Sequence, residues 1–311
     1  PKARIRVIVV DAGLEPTHAL HSMRSTRWRP FRSLLASCVG VAGVFVPALS
    51  AAELPEYTFE LRARTNLIGE AAGTYNIDPG NLLSGTPSMS FGNARELAFA
   101  VSITPEGGPG IWFGKSGSPG SRIYQLSDLS EPPQISGVTL GPDNQLAFAV
   151  NDAADSTKNG IYILDTTVSP ASPKVVQVPL GVKSWTELSW GPTGKLGARV
   201  YFSGAGRAYA LLTPKDGAFT STLLAKERSL DLASPYTYLY GPSLAPNGDM
   251  VGVADVEAPG AGYQELRVFT PDGSTLVAQT TSLDPSSPIY RFASVAPAMN
   301  AAGQVVFLGT E

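Results

Sequence analysis

The chain has 311 residues, 43% hydrophobic and only 16% charged, with 32 Gly, 26 Pro, one Cys and two His. That length is enough for one large core or two domains. Low charge, many turn-formers and few uninterrupted helix-forming runs exclude wholesale disorder and favour an all-β fold.

Residues 1–22 precede the first methionine and are expected to be an upstream extension outside the fold. Met23 opens a segment running to residue 52, with Arg24, Arg27, Arg29 and Arg32 first, an apolar run from Leu34 to Leu49 next, and small residues at Ala48, Ser50 and Ala52 last. Basic, apolar, small is the order of a secretory signal peptide. The apolar run is too short and too Gly-rich for a membrane span. A buried N-terminal helix fits poorly, because arginines crowd one end and Pro47 breaks the other. Export to the periplasm, cell surface or medium is the expectation. "LASC" (Leu35–Cys38) also matches a lipobox with Cys38 lipidated, but only Ser33–Ser37 separate it from Arg32.

Removing residues 1–52 removes Cys38, His18 and His21, the only cysteine and histidines. Disulfides, thiolate chemistry, imidazole ligands and a Ser-His-Asp triad are then excluded. Seven of the 23 basic and two of the 26 acidic residues precede Glu53, which leaves 16 and 24, a net of −8. That balance excludes nucleic acid and anionic membrane surfaces as partners, leaving a membrane association only through an anchor.

From residue 53 to 311 the chain repeats. "PSMSFGNARELAFAV", "GVTLGPDNQLAFAV", "TELSWGPTGKLGARV", "GPSLAPNGDMVGVA" and the closing "PAMNAAGQVVFLGTE" each read as strand, Gly/Pro/Asn/Asp turn, strand. The first apolar residue after each turn is Leu97, Leu146, Leu196, Met250 and Val305, at spacings of 49, 50, 54 and 55. Two more strand-like pieces follow in each unit, for example "GIYILD" and "KVVQVPL". Units therefore start near 87, 137, 187, 241 and 296, and a period near fifty residues predicts about five four-stranded blades of a β-propeller. In the first strand Phe91, Leu140, Trp190, Leu244 and Met299 share one slot, and Met89, Val138, Leu188, Pro242 and Pro297 lie two residues earlier. Ser90, Thr139, Ser189, Ser243 and Ala298 sit between them. Period-two alternation puts the small residues on the opposite face, as suits an innermost strand near a crowded axis.

The turns "GPDNQLAF", "GPTGKLGA" and "APNGDMVG" resemble those of WD40-like periplasmic propellers of the TolB type. The chain resembles still more closely bacterial exported tandem-repeat proteins with an N-x-x-G-x-x-x-F signature, matched in full by Asn300, Gly303 and Phe307. The resemblance spans about 85–311, implies the fold, and carries no catalytic residue. Two closures stay open: a five-bladed ring whose last blade takes outer strands from Pro55–Thr65 and Ala72–Ile77, or a piece of a six- to eight-bladed propeller.

Loops leading into the innermost strands carry Trp185, Tyr236, Tyr238, Tyr290 and Arg291, which are the expected ligand-binding residues for a glycan or a peptide or protein partner. The bland alternative is that these aromatics cap neighbouring blades. Acidic loops with Asp152 and Asp155, and with Asp255 and Glu257, lack the spacing of a calcium loop, so no metal and no cofactor are expected. The sequence reading is an exported, non-enzymatic binding or envelope-scaffolding propeller. Its alternatives are a polysaccharide-active enzyme using carboxylates alone, and a structural surface protein with no small ligand.

Overall fold

The computed structural model describes residues 5–11, 75–76, 89–92, 94–103, 109–117, 120–125, 134–152, 155–168, 174–176, 181–204, 206–257 and 262–311. Contacts divide the chain into two units, Pro1–Ala19 with Arg62–Glu311, and Leu20–Leu61. All the described residues belong to the first, so the expected signal peptide, apart from its position in sequence, lies outside them.

Among the described residues, five antiparallel sheets follow one another along the chain. Blades 2 and 3 are four-stranded meanders: Gln134–Leu140, Gln145–Asn151, Gly160–Asp165 and Lys174–Val176, then Ser184–Trp190, Leu196–Phe202, Gly206–Lys215 and Ala218–Lys226. In blade 4 the innermost strand is split into Tyr238–Leu239 and Ser243–Leu244, both paired with Met250–Asp255, and Gln264–Thr270 and Gly273–Gln279 complete the sheet. Blade 1 is split in the same way, with Tyr75–Asn76 and Met89–Phe91 both on Glu96–Ile103. Pro109–Lys115 and Ser121–Gln125 follow outward.

Blade 5 differs from expectation. Arg291–Phe292 and Ala298–Met299 pair with Gln304–Thr310, and the other edge of Gln304–Thr310 is taken by Ile5–Asp11 in antiparallel register. Part of the segment expected to lie outside the fold is therefore a strand, as its sequence "IRVIVVD", dense in β-branched residues, allows. Tyr75–Asn76, expected as an outer strand of this blade, instead belongs to blade 1. Pro55–Thr65 lies outside the described residues.

The turns that recur in the sequence take two backbone forms. Asn300 accepts from the N–H groups of Ala302 and Gln304 through Oδ1, each at 3.0 Å, while Gly303 takes φ +80°. In blade 2 Asp143 and Asn144 both have positive φ, the signature of a type I′ hairpin turn. The residue after each turn is core in every blade: Leu97 is 7% exposed, and Leu146, Leu196, Met250 and Val305 are fully buried.

The small residues between the bulky slots join the blades. Ser90 Oγ accepts from Leu140 N at 2.9 Å, Thr139 Oγ1 from Trp190 N at 3.1 Å, and Ser189 Oγ from Leu244 N at 3.1 Å. Ser243 Oγ donates to Pro297 O at 2.5 Å. These are one hydroxyl position in successive copies, each bonded to the innermost strand of the next blade. Hence the alternation of bulky and small: the bulky slot residue lies on the preceding blade (Trp190 on Gly141, Leu244 on Gly191) and the small one bonds to the following blade. Radially adjacent four-stranded sheets linked through their innermost strands are the architecture of a β-propeller. Among the described residues no blade covers the Phe91 slot of blade 1, and Phe91 is 72% exposed. Ser189→Ala removes the acceptor of a half-buried N–H between blades 3 and 4, and is expected to cost about 1–2 kcal/mol in urea unfolding. No change in the urea midpoint would mean that the hydroxyl relay does not hold the blades.

Candidate functional site at the junction of blades 3 and 4

In the register of blade 3, Ser184, Tyr201 and Arg207 form one cross-strand row. Thr186, Arg199 and Tyr209 form a second row two residues along. Because the side-chain period of a strand is two, both rows stand on the same face, and the intervening row of Trp185, Val200 and Ala208 stands mainly on the other. That intervening row belongs to the core shared with blade 2. The first two rows face blade 4, where Tyr209 is fully buried against Leu239, Met250 and Phe269.

Where the two rows reach the surface they line a cavity of about 250 Å³, formed by Ser184, Thr186, Arg199, Val200, Tyr201 and Arg207. The Arg207 guanidinium carbon lies 4.4 Å from the ring centroid of Tyr238, in blade 4, and 5.8 Å from that of Tyr201. Such stacking holds the planar guanidinium in place while leaving its N–H edge free to bond.

Behind each arginine sits a carboxylate. Arg199 Nη2 donates to Glu187 Oε1 at 2.7 Å, Nη1 to Leu239 O at 3.2 Å, and Nε to Thr186 Oγ1 at 3.3 Å. Glu187 is 4% exposed. Arg207 Nη1 approaches Glu227 Oε1 at 3.4 Å. Glu227, 3% exposed, also accepts from Arg207 N at 2.9 Å and from Leu239 N at 3.0 Å. Deeper in blade 4, Tyr240 donates to Asp255 Oδ2 at 3.1 Å, and burial followed by the Asp255 charge pushes its pKa up to about 12.

The five expected residues do not form one cluster. Tyr238 alone reaches the cavity, through Arg207. Trp185 is 4% exposed and packed in the core between blades 2 and 3, and Tyr236 is 8% exposed, with its ring edge-on to Phe269 and its hydroxyl 3.0 Å from Ser274 Oγ. Neither side chain is open to a ligand, which corrects the expectation for both. Tyr290 and Arg291 are exposed at the start of blade 5, where they bond to blade 5's own backbone: Tyr290 N donates to Thr310 O at 2.7 Å, and Arg291 pairs with Thr310 in the ladder.

The reason lies in how the loops are fastened. Asn151 Oδ1 accepts from Trp185 N at 2.8 Å, Glu227 from Leu239 N, and Gln264 Oε1 from Phe292 N at 3.0 Å. One polar side chain in each of blades 2, 3 and 4 thus grips the strand entering the next, and the gripped residue is buried each time. The loops before blades 4 and 5 also share a staple. In "SLDLASP" Ser234 Oγ donates to Lys226 O, and in "SLDPSSP" Ser287 Oγ donates to Gln279 O at 2.6 Å. The capping alternative describes Trp185 and Tyr236, while Tyr238 lies over the Arg207 guanidinium.

The site residues missing from the sequence reading are Ser184, Thr186, Arg199, Tyr201 and Arg207. One signal was available: in "LGARVYF" Arg199 and Tyr201 occupy alternate positions of an otherwise buried strand, and a buried strand does not place an arginine there without a partner.

Fold and site together define a β-propeller with a small, donor-rich cavity at one blade junction. No protein-family model matches the chain, and no curated protein is similar to it. Among solved structures it is similar to TolB from Acinetobacter baumannii, at 18% identity and a TM-score of 0.44, over 63% of this chain and 44% of that one. It is also similar to a prolyl endopeptidase (12%, 0.43, 70% and 31%) and to a gluconolactonase from Xanthomonas campestris (12%, 0.42, 73% and 72%). The chain spans less than half the length of the first two. Every one of these TM-scores is below 0.5, and the architecture rests on strand order and inter-blade hydrogen bonding rather than on these matches.

Proposed function

We propose that this chain is an exported binding propeller that takes a saccharide at the junction of blades 3 and 4, without turning it over. The observation that carries the reading is the cavity beside Arg207: two guanidinium groups, the Tyr201 ring and the hydroxyls of Ser184, Thr186 and Tyr201 line about 250 Å³, and Tyr238 stacks on Arg207 from outside the lining. That volume lies just below the range of drug-sized pockets, on the order of 300–1,000 Å³, and suits a single sugar ring. The strands around the cavity already have their backbone ladders on both sides of Leu196–Phe202, so an extended peptide finds no edge to join there. Export rests on the order of residues 23–52 in the sequence, and cleavage after that segment would take Ile5–Asp11 off Gln304–Thr310.

Binding is favoured over catalysis because the nearby carboxylates are engaged. Glycoside hydrolysis needs one carboxyl to give up a proton and another to attack or activate water. Glu187 is held by Arg199 and Thr186, and Glu227 by two backbone N–H groups and Arg207.

The test is a glycan array with the purified protein and Tyr238→Ala. Removing the ring that stacks on Arg207 is expected to weaken binding about 5- to 30-fold, the equivalent of 1–2 kcal/mol of stacking. Release of reducing sugar from any bound glycan would replace this reading with the enzymatic one, and an array with no binder would replace it with the structural one.

A further inference from the structure

We infer that the group read in this cavity is a carboxylate borne on the sugar, so that the ligand class is uronic-acid saccharides; the inference rests on the saccharide reading above. The argument begins with a comparison inside the molecule. Arg207 and Gln264 are equivalent: each lies at the start of the third strand of its blade, in register with the residue five past the core residue after the turn. Each bonds in both directions with the residue just past the fourth strand, Glu227 or Thr280. Gln264 is 1% exposed and spends its side chain inside the protein, donating from Nε2 to Tyr240 Oη and Asp255 Oδ1 and accepting from Phe292 N through Oε1. In blade 3 that grip on the next blade is made by Glu227, on Leu239 N. Arg207 is thereby released from the structural task and keeps 32% of its side chain exposed at the cavity.

A guanidinium has five N–H donors. Arg199 directs three of them at Glu187, Leu239 O and Thr186. Arg207 makes one long side-chain contact, 3.4 Å to Glu227. None of the six lining residues is acidic, and the hydroxyls of Ser184 and Tyr201 can donate or accept, while Thr186 already donates to Glu187 and accepts from Arg199 Nε. The cavity therefore offers an excess of donors in a planar fork, the geometry that matches a carboxylate with two parallel bonds. Because Glu187 and Glu227 balance the arginine charges from behind, attraction acts at contact range. A neutral sugar hydroxyl would use at most one tooth of the fork.

The experiment is isothermal titration of the purified full chain with trisaccharides of galacturonate, glucuronate and mannuronate, and with the methyl ester of each. Arg207→Met and Arg207→Lys are measured beside the parent, with thermal melts to establish that each is folded. Acids are expected to bind and esters to bind at least 10-fold more weakly. Arg207→Met is expected to lose about 10- to 100-fold, the equivalent of one charged hydrogen bond. Arg207→Lys keeps the charge near Glu227 but loses the fork, and should also lose most of the discrimination between acid and ester. If Arg207→Met does not fold, Arg207→Lys decides. Equal binding of acids and esters overturns the carboxylate inference and leaves the saccharide reading standing, as does a folded Arg207 variant that still prefers acids by the parental factor. Absence of binding to the whole panel and to the neutral glycan array, or binding of a peptide carboxylate alone, overturns the saccharide reading itself.

Discussion

Trp185→Ala is expected to destabilise the protein by about 3–5 kcal/mol, the usual cost of deleting a large aromatic side chain from a packed core. Trp185 packs among Val200, Ala208 and Leu188 at the junction of blades 2 and 3, and its backbone is held by Asn151 at both N–H and C=O. The loss is a large part of the roughly 5–15 kcal/mol that a typical domain possesses. Trp185→Phe, which retains most of the buried area, should lose clearly less. Urea unfolding followed by far-UV circular dichroism measures both. A Trp185→Ala protein of parental stability that has lost saccharide binding would return Trp185 to the binding face.

The sequence reading put Trp185 in a loop, whereas it lies within the strand Ser184–Trp190 and faces the core for a definite reason. Counting back by twos from Ser189 puts Glu187 and Trp185 on the small-residue side of the strand. The strand, however, has a bulge between Thr186 and Ser189, with Glu187 at φ +47°. One extra residue there reverses the phase, so Trp185 and Leu188 share a core although they are three apart. Blade 2 does the same: the register shifts between Ser136 and Thr139, Gly137 has φ +60°, and Ile135 and Val138 share a core. In "ISGVTL" a glycine hints at the bulge; in "WTELSW" nothing local does.

What the sequence made legible was what depends on neighbours along the chain. Turn chemistry, period-two alternation and a repeat near fifty residues are short-range signals, and they yield the blades, the core positions and the hydroxyl row. The cavity is assembled from Ser184, Tyr201 and Arg207, which meet only through cross-strand register, and Arg207 is held by Tyr238 of the next blade. No spacing in one strand announces such a set. The N-terminal strand on Gln304–Thr310 is likewise a pairing across nearly the whole length of the chain, which local pattern does not encode.

Glu187 is the point where fold and cavity meet, and replacing it gives the second large expected effect. Its position requires a positive φ, which blade 2 meets with Gly137, yet here a glutamate stands in the left-handed region. The side chain is packed beside Gly241 of blade 4, where an added Cβ would lie 3.2 Å from Glu187 Cγ. What offsets the backbone strain is the 2.7 Å ion pair with Arg199, whose side chain is 17% exposed. Glu187→Ala keeps the strain and leaves that guanidinium buried without its counter-charge, at an expected cost of about 3–5 kcal/mol. Glu187→Gly loses the same pair but relieves the dihedral strain, so it should be less destabilising by about 1–2 kcal/mol. Adding Arg199→Met to Glu187→Gly removes the stranded charge and should recover most of the loss, because replacing both members of a buried pair by apolar groups is often close to neutral. Chemical denaturation of these three variants, with Arg199→Met alone beside them, tests the order Ala, Gly, then the double variant, from least to most stable. A double variant as unstable as the sum of its single changes would show that Glu187 and Arg199 act independently, and the ion pair would then not be what holds the bulge beneath the cavity.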